Sequence, residues 1–290
     1  EIVSYKNPHY LIESSELMEK INDPNLRVFD TSVFLEASEN GYSAESGRAL
    51  YEKGHIPNAG FIDLTIEWSD TSGSLNFTIP QSDKLSEAIG QSGINKDHEV
   101  ILYSSGNLMW ATRAWWCLHF AGHKNIRVLN GSLSNWINQN LPIETGLRTY
   151  SPEIFAGEPN ENVFSDTAQV ESAEKNGVCV INALSRSLYE GTGDFYYARR
   201  GHIPDSHLLF YGDLVKDDFF LPADELKVVL EEKGLNENKP IITYCGGGIA
   251  ATIDAFAYKL LGYSHISVYD GSMSEWVQSE SRPLTIGPNP

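Results

Sequence analysis

The sequence predicts an α/β fold made of two tandem domains, each a parallel sheet with helices on both faces. Three observations support this prediction: the chain length, an internal repeat, and the alternation of strand and helix patterns. At 290 residues, the chain is too long for one average domain and long enough for two of about 150 residues each. We place the first domain at residues 1–147, a linker at 148–160 and the second domain at 161–290.

The internal repeat is clearest in the C-terminal part of each half. Residues 122–136 (GHKNIRVLNGSLSNW) lie over residues 262–276 (GYSHISVYDGSMSEW) without a gap, and seven of the fifteen positions are identical. The tetrapeptide GHIP also occurs twice, at 54–57 and at 201–204. A repeat this long indicates a duplicated domain, because solenoid units are only about 20–50 residues long.

Strand and helix patterns alternate along the second half. Two short apolar runs, VCVIN at 178–182 and PIITY at 240–244, are typical of buried parallel strands. Apolar residues recur at helical spacing in 224–234, where Gly234 is a candidate C-cap, and in 249–262. This alternation predicts a parallel sheet, and such folds bind ligands beyond the carboxyl ends of their strands.

Composition excludes several classes of protein. The net charge of −18 argues against a nucleic-acid partner, which would require clustered Lys and Arg. No apolar run is long enough for a membrane span, and residues 1–20 lack the layout of a signal peptide. We expect a monomer in the cytoplasm, although a chain that begins with Glu1 leaves open a targeting segment upstream.

The three cysteines form no CxxC motif and no metal-ligand spacing, so we expect neither a metal site nor another cofactor. Cys117 and Cys179 lie in apolar runs and are expected to be small buried side chains. Cys245 differs from both, because it comes directly after a predicted strand and is followed by three glycines and a predicted helix that begins near Ile249.

Such a junction suits an anion. Consecutive glycines let the backbone curl with its N–H groups pointing inward, and the N-terminus of the helix adds unpaired N–H groups and a positive dipole end. This arrangement stabilises a thiolate and also a persulfide anion. We call the residues that follow the cysteine the anion cradle: Gly246, Gly247, Gly248, Ile249 and Ala250.

Other cysteine or loop chemistries fit less well. A nucleotide-binding loop would have the pattern GxxxxGK[ST], which is missing here. A cysteine phosphatase needs an arginine six residues after the cysteine, where this chain has Ala251. A Cys–His hydrolase needs a positioned base, and no local pattern singles out one of the eight histidines.

At this point the sequence resembles the tandem-domain rhodanese family, which includes thiosulfate and 3-mercaptopyruvate sulfurtransferases. The motifs that carry the resemblance are GHIP in each half, RAWWCLHFAGH at 113–123 and YCGGGIAAT at 244–252. The resemblance implies that the second domain carries the catalytic cysteine, Cys245. Ser104 occupies the equivalent position in the first domain, which is then catalytically silent.

The resemblance implies a ping-pong reaction. The thiolate of Cys245 takes sulfur from a small anionic donor, 3-mercaptopyruvate or thiosulfate. The resulting persulfide passes its outer sulfur to cyanide, a thiol or a thioredoxin-like protein. An alternative is a non-enzymatic module that relays sulfur or binds proteins.

The chain departs from the family at several positions of the donor site. Gly246 and Gly247, directly after Cys245, are not basic. Leu188 stands where the family has a substrate-binding arginine, and Phe77 replaces a histidine. Arg199 and, less strongly, Arg186 are our candidates for donor binding. Two acidic residues of the first domain are candidates for the wall of the cleft: Asp63 and Glu67.

Overall fold

The computed structural model describes residues 2–39, 41–233 and 238–290. The strands of the first half are β1 Leu11–Ile12, β2 Leu26–Asp30, β3 Val33–Ser38, β4 Gly41–Ser46, β5 Gly60–Phe61, β6 Glu99–Tyr103 and β7 Ile126–Leu129. Its helices are α1 Ser14–Lys20, α2 Arg48–Lys53, α3 Ser82–Gln91, α4 Met109–Phe120 and α5 Leu133–Asn138, preceded by a 3₁₀ turn at Pro8–Tyr10.

The second half repeats this alternation. Its strands are β8 Phe164–Ser165, β9 Cys179–Asn182, β10 His207–Leu208, β11 Val215–Lys216, β12 Phe219–Phe220, β13 Ile241–Tyr244 and β14 Ile266–Tyr269. Its helices are α6 Thr167–Glu171, α7 Arg186–Glu190, α8 Ala223–Glu231, α9 Ala251–Leu260 and α10 Ser272–Trp276, with 3₁₀ turns at Glu161–Val163 and Tyr211–Leu214.

Each half contains one parallel sheet of five strands. The first sheet has the order β1-β7-β6-β2-β5 and the second the order β10-β9-β13-β14-β8. All neighbours within these sheets pair in parallel, whereas β3–β4 and β11–β12 form separate antiparallel hairpins. The predicted tandem α/β fold is therefore confirmed, while the domain and linker boundaries stay a prediction.

The two copies of GHIP form the same kind of turn. The Nδ1 atom of His55 lies 2.9 Å from the carbonyl oxygen of Ile56, and its Nε2 atom lies 2.8 Å from that of Gly146. The His202 ring stacks on Tyr189 at 3.6 Å between centroids, and its Nδ1 atom lies 2.7 Å from the Tyr189 carbonyl oxygen. Both imidazoles are buried and order the backbone around them.

Helices α4 and α9 pack against each other where the two halves meet. The Oγ1 atoms of Thr112 and Thr252, one from each helix, are hydrogen-bonded at 2.7 Å. Cys117 in α4 is fully buried as expected, whereas Cys179 is only partly buried. The tryptophans expected in the core are all buried: Trp115, Trp116, Trp136 and Trp276.

The start of one helix differs from the prediction. Helix α9 begins at Ala251 rather than near Ile249, because residues 246–250 first form the turn that leads into it. The proposed C-cap Gly234 lies outside the described residues. Among the residues that are described, no helix is long and apolar enough to cross a membrane.

A buried ion pair joins the halves. The guanidinium of Arg113 in α4 is 1% exposed and donates to Asp270 Oδ1 at 3.0 Å, to the Gly248 carbonyl at 3.1 Å and to the Phe77 carbonyl. The second oxygen of Asp270 accepts the backbone N–H of Ile79 at 2.8 Å. A buried charge without a partner lowers the stability of the folded state. We therefore expect these contacts to form together.

We expect Asp270→Asn to destabilise the protein by about 3–5 kcal/mol, since it leaves the buried Arg113 cation without its counter-ion. The loss should appear as a lower midpoint of urea unfolding. The matched control is Arg186→Gln, which removes a pair with Glu190 whose arginine side chain is 70% exposed. That control should change the free energy of unfolding by less than about 1 kcal/mol. A loss under about 1 kcal/mol for Asp270→Asn would contradict the assigned role of the pair.

Candidate functional site

Cys245 follows the last residue of β13, at the carboxyl end of the central strand of the second sheet. The side chain is 2% exposed. Its backbone N–H donates to Ser272 Oγ at 3.1 Å, and its carbonyl accepts the N–H of Met273 at 3.0 Å. The start of α10 therefore fixes the backbone on both sides of the sulfur.

The glycines after Cys245 have different structural roles. The Gly246 carbonyl accepts the Ser274 N–H at 2.9 Å and the Ser274 hydroxyl at 2.7 Å. Gly248 has a φ of +81°, and a Cβ placed there would lie 2.7 Å from the Asp270 carbonyl oxygen. Gly247 faces open space, with no atom within 4 Å of where its Cβ would be. Only Gly248 combines a left-handed conformation with a close contact.

The anion cradle has unused donors. Within the described parts of the chain, the N–H groups of residues 246–250 make no hydrogen bond to any protein acceptor. The carbonyls of Ile249 and Ala250, by contrast, accept the N–H groups of Thr252 and Ile253 at 2.9 and 3.0 Å, so the helical turn has already begun. A run of unpaired N–H groups that ends at a helix N-terminus binds anions well.

One wall of the site is aromatic, which the sequence reasoning missed. A Cβ on Gly246 would lie 2.0 Å from the Tyr197 hydroxyl, so this phenol covers the cradle directly. Phe195 contacts Tyr197 at 5.4 Å between centroids, and Tyr42 from the β3–β4 hairpin contacts Phe195 at 4.8 Å. We call Tyr42, Phe195 and Tyr197 the aromatic wall. The sequence did carry one signal, the run DFYY that ends at Tyr197.

The Tyr197 phenol stays protonated near the cysteine. Burial raises its pKa well above the ordinary value, and the negative charge that Cys245 can carry raises it further. A protonated phenol is a hydrogen-bond donor. The aromatic wall therefore offers a hydrogen-bond donor beside the cradle.

The two arginines predicted to bind the donor are engaged elsewhere. Arg199 donates from Nη1 to the Ser279 carbonyl and from Nη2 to the Arg282 carbonyl, both at 2.9 Å. Arg186 is exposed and pairs with Glu190 at 3.5 Å. Among the hydrogen bonds of the described residues, none joins either guanidinium to the anion cradle. Their role in donor binding stays a prediction.

The predicted acidic residues of the first half order a local turn. Asp63 Oδ1 accepts the N–H of Thr65 at 2.9 Å and its hydroxyl at 2.5 Å. The Asp63 N–H in turn donates to Glu67 Oε2 at 2.6 Å. A contribution of these carboxylates to the cleft also stays a prediction. No group of His, Cys, Asp and Glu among the described residues has the arrangement of a metal site.

The equivalent loop of the first half uses some of its polar groups in hydrogen bonds to other protein groups. The Ser104 hydroxyl donates to the Asn107 carbonyl at 2.7 Å, and the Ser104 carbonyl accepts the Leu133 N–H at 3.1 Å, as Cys245 does from Met273. The Ser105 N–H donates to Ser32 Oγ at 2.8 Å. This copy therefore has the same backbone support but lacks a thiol and uses an amide that the second copy leaves free.

Arg113 was not singled out by the sequence reasoning, although it opens the RAWWCLHFAGH motif. Its bond to the Gly248 carbonyl places a permanent positive charge directly behind the cradle. The site thus combines a buried thiol, free backbone donors and a buried cation. Such a site can hold a negatively charged sulfur.

Comparison with known proteins shows the family of the chain. The profile of the rhodanese-like domain matches residues 13–139 and 185–279, more than half of the chain. The 3-mercaptopyruvate sulfurtransferase of Escherichia coli K12 is 30% identical over 282 residues, covering 95% of this chain and 97% of that protein. The thiosulfate sulfurtransferase of Mus musculus is 29% identical over 277 residues, covering 92% and 91%.

Solved structures give the same result. The crystal structure of SseA from Escherichia coli, a 3-mercaptopyruvate sulfotransferase with the rhodanese fold, superimposes with a TM-score of 0.80 at 28% identity. The match covers 91% of this chain and 98% of that one. The predicted resemblance is therefore confirmed, and the chain belongs to the rhodanese-like domain family as a two-domain sulfurtransferase.

Proposed function

We propose that this protein transfers a sulfane sulfur from a small anionic donor to a thiophilic acceptor through a persulfide on Cys245. The thiolate attacks the donor sulfur and forms an S–S bond. The C–S bond of 3-mercaptopyruvate, or the S–S bond of thiosulfate, breaks at the same step and leaves its electron pair on the pyruvate enolate or on sulfite. The enolate then takes a proton from water.

In the second step the acceptor attacks the outer sulfur. Cyanide or a thiol forms a bond to that sulfur, the persulfide S–S bond breaks, and the Cys245 thiolate is restored. Negative charge stays on or next to the cysteine sulfur throughout. The observation that carries the proposal is that the N–H groups of residues 246–250 have no acceptor among the described residues. Such donors stabilise negative charge most strongly where water is excluded.

In this proposal the sulfur donor is held mainly by hydrogen bonds from backbone N–H groups. Arg199 donates to backbone carbonyls, and Arg186 lies exposed. Neither guanidinium therefore supports the bidentate binding of a dianion that an arginine can provide. Tyr197 is placed to donate one hydrogen bond beside the cradle. The identity of the sulfur donor, 3-mercaptopyruvate or thiosulfate, stays open in this proposal. Three further properties stay predictions: a thioredoxin-like acceptor, a monomeric state and a cytoplasmic location.

A second candidate is a sulfur relay that accepts a persulfide from a partner protein and passes it on. The engagement of both predicted donor-binding arginines with other groups favours it. A relay protein would carry the Cys245 persulfide but would not turn over small donors. Intact-mass analysis after incubation with each sulfur donor separates these candidates.

We expect Cys245→Ser to lower sulfur transfer to cyanide by at least about 10³-fold, because the nucleophile that carries sulfur is lost. Thiocyanate formation measures this. Cys179→Ser is the matched control, since that partly buried thiol begins β9, at the end of the sheet away from Cys245, and it should keep the wild-type rate. Full turnover by Cys245→Ser would refute the proposed mechanism.

Incubation with each donor followed by intact-mass analysis tests the intermediate directly. A turnover enzyme should gain the mass of one sulfur atom from 3-mercaptopyruvate or thiosulfate and lose it when cyanide is added. Alkylation of Cys245 beforehand should prevent the gain. If neither donor adds sulfur but a protein persulfide does, the relay replaces the enzyme.

We expect Gly248→Ala to reduce the rate of persulfide formation by at least about 10²-fold, the usual cost of removing an oxyanion-type donor. The new Cβ lies at a positive φ and 2.7 Å from the Asp270 carbonyl oxygen, so the loop must shift. Gly247→Ala is the comparison, since its Cβ meets no atom within 4 Å. It should cost less than about tenfold, and equal losses would contradict the role assigned to loop shape.

A further inference from the structure

A cavity lies at the end of the second sheet opposite Cys245. It encloses about 460 Å³, and Ile241 and Ile266, the first residues of β13 and β14, form part of its wall. Cys245 follows the last residue of β13. At a rise of about 3.3 Å per residue, Ile241 and Cys245 are about 13 Å apart. The cavity is therefore distinct from the site of sulfur transfer.

The cavity contains a lysine without a counter-ion. Lys259 of α9 is partly buried, and no ion pair found among the described residues includes its ammonium group. Burial lowers the pKa of this amine. In a chain with a net charge of −18, carboxylates are plentiful, so an unpaired and partly desolvated cation leaves a place for an external anion.

His119 lines the same cavity as Lys259. Burial, and next the charge of Lys259, lower the pKa of His119 to about 3, so the imidazole is uncharged near neutral pH. Its Nε2 atom is buried and has no hydrogen-bond partner within the described residues. The His119 ring therefore adds no positive charge to the wall that Lys259 lines.

The rim supplies further polar groups. In the described part of the chain, the side chains of four exposed rim residues make no hydrogen bond: Asn160, Asn162, Ser264 and His265. Other rim side chains are already paired, as Ser165 is with Ser267 at 2.5 Å. Apolar residues such as Val163 and Ile242 complete the wall. A volume of this size suits a small organic molecule rather than a bare inorganic ion.

From this lining we infer that the cavity binds a small organic carboxylate, which pairs with the Lys259 ammonium group. Amide and hydroxyl groups of the rim contact the polar substituents of the ligand. The binding is independent of the chemistry at Cys245.

Isothermal titration of the full chain with citrate, malate and gluconate, with inorganic phosphate as a size control, tests this inference. At least one carboxylate should bind saturably with a stoichiometry of one, and more tightly than phosphate. Lys259→Met should weaken that binding at least tenfold, while Lys259→Arg, which keeps the charge, should change it less than Lys259→Met does. The matched control is Lys227→Met, an exposed lysine of α8 that pairs with Glu231, and it should bind like the wild type.

A second readout needs no variant. The His119 ring lies 4.8 Å from Trp115 and 5.5 Å from Trp116 between centroids, so occupancy should change tryptophan fluorescence with the same midpoint as the titration. Absence of saturable binding by all three carboxylates to the folded wild type overturns the inference, as does unchanged affinity in folded Lys259→Met. Carboxamidomethylation of Cys245 should leave the binding intact. Loss of binding on alkylation would place the ligand at the cysteine instead.

Discussion

The buried ion pair between Arg113 and Asp270 is the constraint on which the cysteine site depends. Arg113 belongs to α4 of the first half, whereas Asp270 follows β14 of the second. A desolvated guanidinium needs partners for all of its donors, so it also binds the carbonyls of Gly248 and Phe77. Because Gly248 belongs to the anion cradle, a residue of the first half helps to fix the loop that follows Cys245 in the second half.

Duplication produced two loops with the same backbone support that differ in the use of one amide. The carbonyls of Ser104 and Cys245, which each follow a central strand, accept a backbone N–H from the start of α5 and of α10 respectively. In the first copy the Ser105 N–H donates to the hydroxyl oxygen of Ser32. In the second copy the equivalent N–H of Gly246 has no acceptor among the described residues. A buried donor without a protein partner costs stability, and a bound anion can offset that cost.

The two ends of β13 present different groups that can attract an anion to an acidic protein. A net charge of −18 gives no attractive long-range field for an anion, so attraction must come from short-range donors. At Cys245 these donors are backbone N–H groups backed by Arg113. At the other end the proposed donor is the ammonium group of Lys259. Backbone donors suit a charge that develops during a reaction, because their positions are fixed beforehand.

The sequence by itself determined the tandem α/β fold and the cysteine loop, because both are encoded locally. Alternating apolar patterns specify strands and helices, the repeat reveals the duplication, and a glycine such as Gly248 meets the requirement for a φ of +81°. Tertiary structure alone decided which distant groups meet. Arg113 pairs with Asp270, 157 positions away. Tyr42 of the β3–β4 hairpin contacts Phe195 of the second half. Arg199 donates to a backbone carbonyl. Such contacts depend on how whole elements pack, and no local pattern of residues records that.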